Sequence, residues 1–293
     1  MPLVVNTNLS SLISQRYLSS NNNKVNKSFE RLSSGSRINR AADDAAGMAI
    51  SKKLESKVRG FTVAQQNAQD GISILQIAEG AMGSIGDGLQ RVRELTVQAA
   101  NGTNSSDQTE SIFKEVEQIM TEIGRIASST SFNGLTLLDG SLGSVRLQIG
   151  ADSSVTLNTL DVSSALSTTT ASALGLVGAS TSAGFSTVAS IIGSNISNGS
   201  VARAFLNDVD AALTTLNTKR SLLGAYQNQL ENTLTGLSLS VENFSASLSR
   251  VRDLDIAAES SNLTRNQVLQ QSSLSILSQA NQSTNSVLSL LQR

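Results

Sequence analysis

Two arginines, Arg37 and Arg40, stand just before two adjacent acids, Asp43 and Asp44, in the stretch SGSRINRAADDAAGMAI at residues 34–50. Acids and bases set among alanines and a glycine could form an ion-binding turn, half of a catalytic pair, or a joint between two helices. Adjacent acids on a helix diverge by roughly 100°, so they cannot share a proton or a metal without outside ligands. Acids in a first turn do favour the positive end of a helix dipole. The stretch is therefore expected to be a joint. Ser34-Gly35 breaks one helix, Asp43-Asp44 opens the next, and Arg37 and Arg40 are left free to reach acids on neighbouring molecules.

Other chemistry is restricted by what the chain lacks. Among 293 residues there is no His and no Cys. This removes Ser-His-Asp and Cys-His nucleophiles, Cys/His zinc sites and zinc-peptidase helices, and leaves only carboxylate, Lys or Tyr chemistry. No cofactor or metal is expected. The net charge of −1 supplies no field for nucleic acid or an anionic membrane. No apolar run approaches the ~18 residues that would span a bilayer. The opening MPLVVNTNLSSLISQRYL lacks a basic region followed by an apolar core, so it does not read as a cleaved signal peptide.

The elements that carry these residues are long helices. One proline in the chain, against an average near ~5%, permits uninterrupted helix, and 3% aromatic residues leave few large anchors for a dense globular core. Positions spaced 3-4-3-4 read Leu206, Val209, Leu213, Leu216, Arg220, Leu223, Gln227, Leu230, Leu234, Leu237, Val241, Phe244, Leu248 and Val251, twelve of the fourteen apolar. This is a coiled-coil seam of about six heptads, on a helix roughly 70 Å long that needs a partner of similar length. Leu54, Val58, Phe61, Gln65, Ala68, Ile72, Leu75, Glu79, Met82, Gly86 and Leu89 supply it, eight of the eleven apolar. The polar interruptions Arg220 and Gln227 are expected to set register, or to face Glu79 and Gln65 across the bundle. Gly80, Gly83, Gly86 and Gly88 imply a close backbone approach or a bend.

Asn101-Gly102 stops the first long helix, and Asp107 with Glu110 has the spacing of a capping box for a helix running to about Ser128. Asn133-Gly134 and Asp139-Gly140 are turn dipeptides. SVRLQIG and SVTLNTL alternate like two short antiparallel strands. Residues 162–200 are rich in Ser, Thr, Ala and Gly, with little periodicity. The extremes carry weaker stripes, Leu9, Leu12, Ile13, Leu18, Val25, Phe29 and Leu32 at one end and Leu277, Ala280, Thr284, Val287 and Leu291 at the other. Lone amphipathic helices of this kind are marginal in water, so order is expected when the two ends pair with each other and with neighbours. The fold class is thus mainly α, a long antiparallel coiled-coil bundle with a short β-hairpin region. The divisions fall at 1–42, 43–161, 162–200, 201–252 and 253–293.

Eight stretches together resemble bacterial flagellin in order and spacing. They are VVNTNLSSL (4–12), LSSGSRINRAADDAAGMAI (32–50), AQDGISILQIAEGAM (68–82), LQRVRELTVQAANGTNS (89–105), SFNGLTLLDG (131–140), RSLLGAYQNQLENTL (220–234), RVRDLDIAAE (250–259) and QANQSTNSVLSLLQR (279–293). The resemblance implies a filament subunit whose terminal helices form an inner coiled coil and whose long helices and hairpin form an outer core, with 162–200 as a short variable surface region. It implies a helical homopolymer, secreted and extracellular, exported unfolded by the flagellar type III apparatus. It also implies an export chaperone, a filament cap protein and a hook–filament junction protein as partners. The alternative reading is a junction protein with flagellin-like termini; the continuous match through LQRVREL favours flagellin. The tail departs from the common pattern in having Asn285-Ser286 where proline is frequent, and Ala42 stands where many members have Lys.

Residue by residue, the resemblance places recognition by host flagellin-sensing Toll-like receptors at Arg91, Leu95 and Glu115. A guanidinium beside an exposed apolar knob is a plausible hot spot. Packing of the same patch in the filament core is the structural alternative. Assembly falls to Leu9, Ile13, Phe29, Leu32, Leu277, Val287 and Leu291, and the joint between layers to Arg37, Arg40, Asp43 and Asp44.

Overall fold

A computed structural model of the chain describes residues 7–154, 158–166 and 199–291, of which 199–201 and 283–291 are described by backbone only. The described elements are α1 (Leu9–Ser34), α2 (Ala45–Ala99), α3 (Ser106–Ser129), β1 (Ser131–Phe132), β2 (Leu135–Thr136), β3 (Arg146–Gln148), β4 (Thr159–Asp161), α4 (Gly199–Arg252) and α5 (Ile256–Leu291). The chain forms two compact units, 59–241 and 1–58 with 242–293.

The unit at 59–241 is a bundle of α2, α3 and α4 with two β-hairpins. Its two long seams are heptad ladders. Ala68, Leu75, Met82 and Leu89 of α2 are fully buried, as are Val209, Leu216, Leu223 and Leu230 of α4 or nearly so. Each such leucine contributes ~1.5–3 kcal/mol through removal of apolar surface from water. The third helix adds Phe113, Val116, Met120 and Ile123 from one face, and Phe113 meets Phe205 edge-on with ring centroids 6.4 Å apart. Gln227 donates from Nε2 to Glu79 Oε2 at 3.2 Å, whereas Gln65 pairs with Ser238 Oγ at 3.0 Å. Arg220 is exposed rather than in the seam. A guanidinium between the buried Leu216 and Leu223 would have to be desolvated. Around the glycines α2 continues as one helix. The close approach falls at Gly86, against Leu216, and at Gly88, against Ile123; no neighbour lies against Gly80 or Gly83.

Three local expectations shift. The capping box of α3 is Ser105 with Gln108, two residues before Asp107. Serine and glutamine there satisfy each other's backbone N–H reciprocally, and Asp107 is left in the first turn. The strand after SVRLQIG is Thr159–Asp161, with Leu147 opposite Leu160, so only the end of SVTLNTL takes part. Val162, Ala165 and Leu166 are buried, and the core therefore runs into the segment expected to be surface; 167–198 lies outside the described residues. Asn133-Gly134 makes the turn between β1 and β2, both residues with positive φ, 50° and 81°.

In the other unit α1 and α5 pair antiparallel. Asn8 Nδ2 donates to the Ala280 carbonyl at 2.9 Å, Asn21 Nδ2 to Ser273 Oγ at 3.1 Å, and Gln270 Nε2 to Asn22 Oδ1 at 2.7 Å. The buried face of α1 is Ser11, Ser14, Asn21, Val25 and Ser28. Small polar side chains occupy the seam where leucines would be expected.

Candidate functional site

That polar seam turns the apolar residues outward. Leu9, Ile13, Phe29 and Tyr17 of α1 and Ile256, Val268, Leu269, Leu274 and Ile276 of α5 are exposed large hydrophobics, with Phe29 51% and Ile276 55% exposed. Leu32 and Leu277 are half-buried. Val287 and Leu291 lie in α5, with their side chains outside the described residues. Two marginal helices thus use hydrogen bonds to find each other and leave a row of aliphatic and aromatic groups in water. Large exposed apolar rows of this kind mark interaction surfaces.

The joint begins where Gly35, at φ +66°, ends α1 in the left-handed conformation. Asp44 then caps α2: its Oδ1 accepts the Gly47 N–H at 2.8 Å, and its carbonyl accepts the Met48 N–H at 2.9 Å. Asp43 plays a different part. It accepts the backbone N–H groups of Asn39 at 3.3 Å and Arg40 at 3.2 Å, and pairs with Lys27 Nζ at 2.6 Å. The Lys27 ammonium, helped by the Arg40 and Asn39 amides, lowers the Asp43 pKa to about 2, against a smaller opposing effect of burial. The two acids thus have separate partners and converge on no common site; no metal-holding cluster occurs among the described residues.

The arginines of the joint have partners within the chain. Arg37 donates from its backbone N–H to the Arg252 carbonyl at 2.7 Å and from Nη2 to the Val251 carbonyl at 2.9 Å. Leu254 N–H donates to the Gly35 carbonyl at 3.0 Å, which ties the α1–α2 joint to the α4–α5 joint. Arg40 pairs with Glu30 at 2.8 Å. Orphan helix-end carbonyls supply acceptors close at hand, and a local acid is entropically cheaper to reach than one on another molecule. Sequence reasoning missed Lys27, the largest influence on Asp43, because nothing local marks a lysine sixteen residues away as its partner.

On the unit at 59–241, Arg91 Nη2 donates to Glu115 Oε1 at 2.9 Å and Nη1 to Glu94 Oε2 at 3.2 Å. Glu115 first, then Glu94, holds the exposed guanidinium above its ordinary pKa. Arg91 and Glu115 are thus brought together across α2 and α3. Leu95 is not an exposed knob: it is 3% exposed, within the core cluster. On α2 it lies four residues after Arg91, on the stripe of Val92 and Ala99 that packs inward, so it is covered by the bundle.

Residues 5–142 match the bacterial flagellin N-terminal helical region, and residues 206–291 match the C-terminal helical region. The chain belongs to the bacterial flagellin family. It is 41% identical over 300 residues to flagellin FlaB2 of Treponema pallidum, a match covering 99% of this chain and 100% of that one. It is 41% identical over 310 residues to flagellin of Bacillus subtilis, covering 98% and 99%. The crystal structure of Bacillus cereus flagellin is 29% identical with a TM-score of 0.47, over 59% of this chain and 88% of that chain. Flagellins are structural subunits that self-polymerise into the flagellar filament, and are not enzymes. No described helix of this flagellin is long and apolar enough to cross a membrane.

Proposed function

We propose that this flagellin polymerises by seating the outward apolar residues of its α1–α5 pair against neighbouring copies, with the joint at 35–44 linking the inner layer of terminal helices to an outer layer of long helices. The observation that carries the reading is the inversion of the terminal pair: hydrogen-bonding side chains inside, and Phe29, Val268 and Ile276 outside. A free subunit with such a surface is marginal, so the ends order as they assemble. A chain held by few strong local contacts at its ends also suits export unfolded through the flagellar type III apparatus. A chaperone would grip the C-terminal helix, with the cap and hook–filament junction proteins as partners outside the cell. Deleting 277–293 tests the reading. The truncated chain is expected to stay a soluble monomer at concentrations and salt where the full chain forms long filaments in the electron microscope. Filaments from the truncation would overturn it.

Arg91, Glu94 and Glu115 favour a second role. They form an exposed, hydrogen-bonded charged patch on a rigid helix pair, which suits recognition of monomer by flagellin-sensing Toll-like receptors, with Leu95 supporting the patch from below. Replacing Arg91 with Ala is expected to lower receptor signalling by monomer while the helical signal stays unchanged. Unchanged potency would remove this role.

A further inference from the structure

Two Asn-Gly dipeptides fall within the described residues, and the structure holds them differently. Asn101-Gly102 lies in the exposed link between α2 and α3. The Thr103 N–H donates to Asn101 Oδ1 at 3.4 Å, closing a turn of the Asx type. The ring so formed contains the side-chain carbon Cγ and encloses the Gly102 nitrogen, and the donated hydrogen makes Cγ more electrophilic. The Gly102 N–H makes no hydrogen bond within the described residues. Glycine has no Cβ to hinder the approach. Asn133-Gly134 is the opposite case. Asn133 is the one non-glycine residue among those described with positive φ, and it is held in a two-residue turn by the pairing of Phe132 with Leu135. The paired strands on either side fix that backbone, and the rearrangement an imide ring requires would have to break the pairing.

We infer that Asn101 is a site of spontaneous, conformation-selected deamidation, and that Asn133 is protected. The Gly102 nitrogen attacks Asn101 Cγ, a carbon–nitrogen bond forms, the side-chain amide bond breaks, and the proton from the Gly102 N–H leaves with ammonia. Water then opens the five-membered imide at either carbonyl, yielding aspartate or isoaspartate. No oxidant, reductant or enzyme is required. Each event adds one negative charge two residues beyond the end of α2, where the helix dipole is itself negative. The isoaspartate product also lengthens the link by one methylene. Its chemistry makes it a substrate for carboxyl methylation of isoaspartyl groups.

The test ages the full-length protein in mildly alkaline buffer and follows it by tryptic peptide mapping. Cleavage at Arg93, Lys114, Arg125 and Arg146 separates Asn101 (94–114) from Asn133 (126–146), and fragment ions separate Asn101 from Asn104. The acid forms are expected to accumulate at Asn101 about tenfold or more faster than at Asn133, as an aspartate/isoaspartate doublet. Gly102→Ala should slow the reaction at Asn101 by about tenfold. In urea the two sites should react at similar rates. Equal rates in the folded protein, or an intact Asn101 in folded protein that reacts only in urea, would overturn the inference.

Discussion

At the scale of single residues, Asp43 shows how an apparent active site dissolves once partners are counted. Its carboxylate is consumed by Lys27 and two backbone N–H groups, and Asp44 is consumed by the cap of α2. The Asp43 pKa is depressed to about 2 from an ordinary 3.8. A folded-state pKa below the unfolded one stabilises above the unfolded value and loses that contribution as pH falls through the folded one. Thermal unfolding of the wild type should therefore show a loss of stability between pH about 4 and about 2 that the Asp43→Asn variant lacks. Identical pH profiles for the two proteins would show that Asp43 does not hold the joint. Leu95 belongs to the same scale. Buried beside Val92 and Ala99, its replacement by Ala should cost about 2–5 kcal/mol in denaturant titration. A loss of receptor signalling in Leu95→Ala therefore needs comparison with Arg91→Ala, whose exposed side chain should leave stability within about 0.5 kcal/mol of wild type.

At the scale of elements, the two helix pairs obey one spacing rule with opposite chemistry. The α2–α4 seam repeats leucine at intervals of seven and was legible from the sequence, whereas the individual polar partners, Gln227 with Glu79 and Gln65 with Ser238, were not. The α1 seam was legible only in its period. Asn8, Ser11, Ser14, Leu18, Asn21, Val25 and Ser28 follow three- and four-residue steps, but a search for apolar stripes selects Leu9, Ile13 and Phe29 on another face. Small polar residues at heptad spacing were the missed signal. Capping details and the displaced second strand were out of reach for a different reason. Ser105 outcompetes Asp107 through geometry formed only when the helix starts, and the register of β3 and β4 is fixed by Leu147 meeting Leu160 rather than by alternation alone. The contrast between seams gives a prediction. Leu223→Ala should destabilise the α2–α4 bundle by about 2–5 kcal/mol, whereas Ser273→Ala should cost about 0.5–1.5 kcal/mol, the net worth of its hydrogen bond with Asn21. Denaturant titration monitored by circular dichroism measures both.

At the scale of the whole molecule, the chain divides labour between a unit with a continuous buried apolar core and one whose helix seam is largely polar. The unit at 59–241 buries its heptad leucines and places charged pairs such as Arg91–Glu115 and Arg93–Asp210 on the surface, where such pairs contribute little to stability. The terminal unit buries hydrogen-bonding side chains and exposes Phe29, Val268 and Ile276, and in the proposed reading this face is what assembles. The family was legible from eight short stretches, and the filament role came with it. The outward face of the terminal pair became visible only when the partner of each helix was known. The most direct measurement is sedimentation of the double variant Val268→Ser with Ile276→Ser under polymerising salt, beside the wild type. Both side chains are more than half exposed, so folding of the chain should be untouched. The account predicts that the variant stays in the supernatant with its helical content intact. Pelleted filaments at the wild-type critical concentration would contradict it.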